Sequence, residues 1–182
     1  MNAWGLPTTA TIGGVKYEIN TDFRDVLEII QYLNDTSKNE YTRWRIALGL
    51  FFEGDIPDRY QEEAARFLSD FIAYDNKGDK PGPKLMDWQQ DSPMIIADVN
   101  KVAGKEIRAE RYMHWWTFLS YFYSIGEGQL SQVVNIRSKR AKGKKLDKWE
   151  QEYYQEHREK VDFQTQDDTE KAEIQEYFNK WL

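Results

Sequence analysis

Few residues in this 182-residue chain are of types that build a reactive centre: there are two histidines, His114 and His157, and no cysteine. The nearest approach to an acid–base pair is Glu110 with His114. Four residues apart on a helix they share a face, where the carboxylate would orient the imidazole as a general base. No nucleophile or metal ligand accompanies them, so the pair reads more simply as a helix-surface contact or a satisfied, part-buried histidine. Asp167, Asp168 and Glu170 are a cluster of the kind that holds Mg²⁺, and equally a charged helix start that complements the helix dipole. Asp87 and Asp91 are the other clustered acids, and they read as turn and cap residues. Gly143-Lys144-Lys145 lacks the upstream glycine and the hydroxyl of a phosphate loop. The absence of cysteine excludes disulfide staples, Cys-ligated zinc, iron–sulfur clusters and thiol catalysis. The expectation is a protein with no catalytic residues, no cofactor and no metal.

These residues sit in a chain of about one domain's length. Hydrophobic residues make up 40% and charged residues 31%, and the 15% aromatic content is too rich for a disordered chain. The N-terminus lacks the basic and apolar regions of a signal peptide. The longest uncharged stretch, Tyr112 to Gly126, falls short of the ~20 apolar residues of a membrane span. A cytoplasmic chain with no membrane partner is expected.

The positioning elements begin with a β-hairpin. Thr8–Ile12 and Val15–Ile19 are β-prone, and Gly13-Gly14 supplies the positive φ of a two-residue turn. Val15, Tyr17 and Ile19 alternate as its buried face. Helical spacing then predicts a helix over Asp22–Leu33 capped by Thr21, and others over Glu40–Glu53 and Arg59–Tyr74. Residues 75–84 are a loop. Asp91 or Ser92 would cap a helix starting at Pro93 and closed by Gly104. Further helices are expected over Tyr112–Ile125, from Leu130 into a basic segment, over Leu146–Val161 with Leu146, Trp149 and Tyr153 inward, and over Thr169–Trp181. The fold class is mainly α, a multi-helix orthogonal bundle with a small N-terminal β-hairpin. A possible seam at 141–145 sets off the hairpin and helical core, residues 1–140, from a basic linker and charged C-terminal helices, residues 141–182, which are part of the same domain or a loose appendage.

Two segments stand out. Tyr112–Ile125 is apolar nearly all round, so it is either central in the core or has a second partner on one face. Trp115, Trp116, Phe118, Tyr121 and Phe122 are the candidates for a partner-binding face. The other is basic: Arg137, Lys139, Arg140, Lys142, Lys144, Lys145 and Lys148 stand against Asp147 alone, in a chain of net charge −6. It is either a solvated linker or an electrostatic dock for an acidic partner, and the acidic residues that follow it are one such partner. The acidic remainder disfavours nucleic acid, whose binding rests on phosphate neutralisation.

Several segments, in order, resemble the bacteriophage tail-assembly chaperone family catalogued as gene product fifteen, from long-tailed phages and prophages of low-GC Gram-positive bacteria. They are Leu6-Pro7-Thr8-Thr9, Ile19-Asn20-Thr21-Asp22-Phe23-Arg24, Leu50-Phe51-Phe52 with Ile56-Pro57, Asp87-Trp88-Gln89-Gln90-Asp91-Ser92-Pro93, His114-Trp115-Trp116-x-Phe118 and Val133–Arg137. The resemblance covers roughly residues 6–160. It implies a role rather than a chemistry: binding the long, aggregation-prone tape-measure protein while tail-tube protein polymerises around it, then leaving before the virion is complete. The implied partners are those two proteins, with a second copy or a co-encoded second chaperone. Asp87, Trp88, Asp91, Pro93 and His114 are expected to be structural. The alternatives are a structural component that stays in the tail, or a nucleic-acid-associated protein using residues 137–148.

Overall fold

The structure, a computed structural model, describes residues 4–74 and 82–164. In chain order its elements are β1 (Thr9–Ile12), β2 (Val15–Glu18), α1 (Phe23–Asn34), α2 (Glu40–Phe51), α3 (Gln61–Ala73), α4 (Ser92–Ala103), α5 (Trp115–Tyr123), α6 (Gln129–Ala141), α7 (Lys148–Glu156) and α8 (Arg158–Val161). Single 3₁₀ turns, Asp58–Tyr60 and Ile107–Ala109, precede α3 and α5. The protein is mainly α with a small N-terminal hairpin, as the spacing predicts. The helix expected over Thr169–Trp181, the acidic cluster Asp167, Asp168 and Glu170, and most of the 75–84 loop lie outside the described residues. Among the described residues no helix is long and apolar enough to cross a membrane.

Two compact units form, each from two stretches of chain: Met1–Pro81 with Val99–Ser124, and Gly82–Asp98 with Ile125–Leu182. The seam expected at 141–145 instead lies inside the second unit, between α6 and α7. Compactness follows contacts rather than composition, and α6 to α8 pack with the residues just before α4.

In the first unit β1 and β2 pair antiparallel with Ile12 opposite Val15. Gly13 and Gly14 have φ of 57° and 81°, the geometry of a two-residue turn that matches strand twist. Ala10, Ile12 and Ile19 are buried and the Tyr17 ring meets Phe52 edge-on at 6.1 Å. Val15 is exposed, contrary to the alternation. Alternation marks a face, but how far packing extends along it is a tertiary matter. Asp22, not Thr21, caps α1, its carboxylate accepting from the Arg24 amide at 3.1 Å. Asn39 caps α2 by accepting from the Thr42 amide at 2.9 Å. Val26, Ile29, Ala47, Phe51, Leu68 and Phe71 form the core with the inward face of α5.

Helix α5 is shorter than the apolar run. Residues 112–114 are extended and paired with 21–23: the Trp115 amide donates to the Thr21 carbonyl at 2.7 Å and the Phe23 amide to the Met113 carbonyl at 2.9 Å. The Met113 carbonyl is therefore committed across the unit, and α5 starts only at Trp115.

In the second unit Leu130, Val133, Ile136 and Val161 are buried. The predicted Leu146–Val161 helix is broken at His157, giving α7 and α8. The inward stripe is also different: Glu150 is buried and Trp149 is exposed.

Candidate functional site

The motif segments converge on two hydrogen-bonded nodes, one in each unit. In the first, residues 18–23 lie between two others. On one side the Asn20 amide donates to the Phe51 carbonyl at 2.8 Å and the Asn20 side chain to the Leu50 carbonyl at 2.6 Å. On the other side Asp22 accepts from the Met113 amide at 3.0 Å. Arg24 grips both Asp22 oxygens, at 2.7 and 2.8 Å, and donates to the carbonyls of Glu110 and Arg111 at 2.9 and 3.0 Å. Burial alone would raise the Asp22 carboxyl, but the bonds from Arg24 and the Met113 amide outweigh it and hold it below the usual carboxylate range.

His114 completes this node. It is 2% exposed and caps α5, its Nδ1 accepting from the Trp116 amide at 3.0 Å. Nε2 therefore carries the proton and donates to the Pro7 carbonyl at 3.0 Å. Burial lowers the imidazole's pKa, against a weaker upward pull from Pro7, so it stays neutral. Both ring nitrogens are occupied, so neither is free to act as a general base. The expected helical pairing with Glu110 is corrected too. Neither residue is in a helix, and the Glu110 side chain meets Lys105 at 3.1 Å.

The aromatic residues divide by what lies beneath them. Trp115 and Phe118 are each 1% exposed, with Phe118 stacked on Phe23 at 4.9 Å. They are core, which overturns them as a client-binding surface. Trp116, Tyr121 and Phe122 are half-buried. Trp116 donates from its indole to the Phe71 carbonyl at 3.0 Å and stacks against the Phe71 ring. Tyr123, which the sequence reading passed over, is 50% exposed and meets Phe122 edge-on at 5.6 Å. An open groove of about 540 Å³, lined by Arg45, Leu48, Gly49, Ile56 and Pro57 among others, lies elsewhere in this unit.

The second node is built on Asp91 and Arg137. Their side chains are 0% and 3% exposed. Arg137 donates to the two Asp91 oxygens at 2.6 and 2.9 Å, and to the carbonyls of Leu85, Lys160 and Val161 at 3.1, 2.7 and 2.7 Å. The Phe163 ring covers the guanidinium at 4.2 Å. Every guanidinium donor is thus used, the arrangement Arg's planar fork suits. Asp91 also accepts from the Asp87 amide at 2.8 Å, while Asp87 closes the turn by accepting from the amides of Gln89 and Gln90, each at 2.9 Å. Asp87 is the turn residue expected. Asp91 is not a side-chain cap, because its carboxylate belongs to Arg137. Trp88 is half-buried in the turn, and Pro93 is the second residue of α4 rather than its first.

Arg137 is therefore removed from the expected docking segment, since burial and pairing take it out of solvent. Lys139 and Arg140 are engaged within the unit, on Glu150 and Asp162, and Arg140 lies over the Tyr154 ring at 4.1 Å. Lys142, Lys144 and Lys145 are exposed. Two buried carboxylates went unforeseen. Glu150 accepts from Asn135 at 2.9 Å and closes a capping box with Asp147. Asp98 accepts from the Leu130 amide at 3.1 Å at the start of α6, where Gly128 makes room: a Cβ there would sit 2.5 Å from the carboxylate. The Asp147-x-x-Glu150 spacing is a readable signal for the first. Nothing local signals the second. Among the described residues no group of three or more His, Asp or Glu gathers to hold a metal.

The fold and its nodes define a mainly α protein whose most distinctive side chains brace its own backbone. The chain belongs to the family described as Bacteriophage Gp15 protein, which it matches over residues 5–163. No curated protein and no solved structure shows a significant match.

Proposed function

We propose that this phage protein is a non-enzymatic tail-assembly chaperone that binds the tape-measure protein while tail-tube protein polymerises, acts in the cytoplasm of a Gram-positive host, and is absent from the finished virion. The observation that carries the reading is the part-exposed aromatic residues of α5. With Trp115 and Phe118 assigned to the core, Trp116, Tyr121, Phe122 and Tyr123 remain as large, part-exposed aromatic groups on one short helix, flanking its buried side. Such groups suit the apolar stripes of a long helical client, because Trp and Tyr pair a large apolar body with a polar tip. Release at assembly favours modest contacts repeated along the client, which act together through avidity. The net charge of −6 keeps chaperone-coated client dispersed.

Co-expression with the tape-measure protein of the same phage tests this. A tape measure that becomes soluble and co-purifies supports the reading. One that aggregates regardless refutes it, and recovery of the chain from purified virions would make it a tail component.

A further inference from the structure

The hairpin leaves one strand edge open. The Ile19 amide donates to the Thr8 carbonyl at 3.0 Å, and hydrogen-bonded pairs alternate along an antiparallel ladder. Ala10 with Tyr17 and Ile12 with Val15 are therefore the bonded pairs. Thr9 and Thr11, opposite Glu18 and Lys16, turn their amides and carbonyls away from β2. Among the described residues no hydrogen bond reaches those four groups, and Thr11 is exposed. The outer edge of β2 is different. The Glu18 carbonyl accepts from the Glu53 amide at 2.9 Å, Ile19 is bridged to Phe52, and Lys16 and Glu18 carry charge along it. Pairing and charge protect that edge. The outer side of β1, Thr9-Ala10-Thr11-Ile12, has neither, and the strand contains no proline and no bulge.

An edge of this kind accepts an extended strand, and its sequence suits its own copy. With Ala10 on a two-fold axis, antiparallel pairing sets Thr9 opposite Thr11 of the second copy, and Thr11 opposite its Thr9. Each pair exchanges two bonds, so all four outward groups of each copy are used at once. Threonine faces threonine and no like charges are opposed. Ala10, the smallest side chain of the strand, falls at the non-bonded position where strands come closest, about 4.5 Å between Cα atoms. The buried faces of the two strands, Ala10 and Ile12, then run on as one. The ladder stops at Pro7, which has no amide and whose carbonyl is held by His114. Gly13, packed against Tyr60 and bonded to Glu63, lies three residues from the axis, which sets the starts of the two copies' α3 helices about 20 Å apart. We propose that β1 pairs antiparallel with β1 of a second copy about Ala10, joining the two hairpins into one four-stranded sheet. Two strands alone are marginal, and the added strands relieve that. The contact lies in the first unit and does not depend on the α5 reading.

Sedimentation velocity of the full chain, loaded from about 5 to 500 µM, tests this. A contact of four backbone bonds is at the weak end of interfaces, so the mass should rise with loading from 21.7 kDa toward twice that value. Thr11→Pro removes only an outward amide, which an edge strand tolerates, and should weaken dimerisation about ten-fold or more. Thr9→Lys/Thr11→Lys opposes lysine to lysine twice and should abolish the dimer. Thr9→Lys/Thr11→Glu opposes lysine to glutamate twice and should keep it. Circular dichroism checks that each variant remains folded, and if the proline variant does not, the two charged variants decide. The proposal is overturned if the parent stays monomeric at ~500 µM. It is also overturned if the folded proline variant or the double-lysine variant dimerises like the parent, or if the lysine–glutamate variant dissociates like the double-lysine one.

Discussion

Replacing Arg137 with Met asks whether this cation braces the second unit or serves a surface. In the folded chain its guanidinium makes two bonds to Asp91 and three to main-chain carbonyls. Met restores much of the apolar stem but leaves a fully buried carboxylate whose other donor is the Asp87 amide, together with three carbonyls deprived of a charged partner. Breaking a buried pair by removing one member costs roughly 3–5 kcal/mol, and the orphaned carbonyls push toward the upper end. A loss of about 4–5 kcal/mol is expected, large against the ~5–15 kcal/mol of a whole domain. For a chain of this length it corresponds to a fall in Tm of roughly 8–20 °C. Thermal melts and urea titrations followed by far-UV circular dichroism measure it. Arg137→Lys keeps the charge and loses the fork, so it should fall between parent and Met. Adding Asp91→Leu to Arg137→Met should recover part of the loss by removing the stranded carboxylate. An Arg137→Met protein melting within about 2 °C of the parent, as an exposed substitution would, refutes the reasoning and returns this cation to the surface.

Four further outcomes follow from the same structure. Because burial holds His114 below its ordinary value of 6.5, the unfolded chain takes up a proton that the folded chain refuses. Stability present above about pH 6.5 is therefore lost as pH falls through the window beneath it, and His114→Asn should flatten that slope in denaturant titrations. Gly128→Ala drives a methyl into Asp98 and should cost about 1–3 kcal/mol. Asp98→Ala relieves that clash at about 0.5–2 kcal/mol for the lost cap, so the double variant should fall short of the sum. Trp115→Ala should cost about 3–5 kcal/mol by opening a core cavity. Tyr123→Ala should stay within about 0.5 kcal/mol yet reduce the tape measure retained on co-purification, and equal retention would argue against the α5 face.

Much of the fold was legible because its signals are local. The Gly13-Gly14 turn, the apolar spacing of α1 to α3 and the glycine closing α4 are decided within a few residues. The start of α5 was not legible. Tyr112, Met113 and His114 suit a helix by type, but the Met113 carbonyl and the Trp115 amide bond to Phe23 and Thr21, some 90 positions earlier. The polar groups misled for a related reason. Arg137 looked like one cation among seven, and only its distance from Asp91, Leu85 and the 160–161 carbonyls separates it from Lys144. In α7 the Asp147-x-x-Glu150 spacing did carry a signal, and it rotates the helix so that Glu150 is buried and Trp149 is not.

The sequence by itself determined the class, the hairpin, most helix cores and the set of segments that mark a Gp15 protein. Periodicity, turn chemistry and capping are properties of neighbouring residues, and a chain carries them wherever it goes. Only the tertiary structure decided that those marked segments meet at two nodes, that His114 spends both nitrogens on the backbone, and which aromatic and basic side chains reach solvent. Burial and pairing are set by partners brought together from distant positions, and no local pattern encodes which partner arrives.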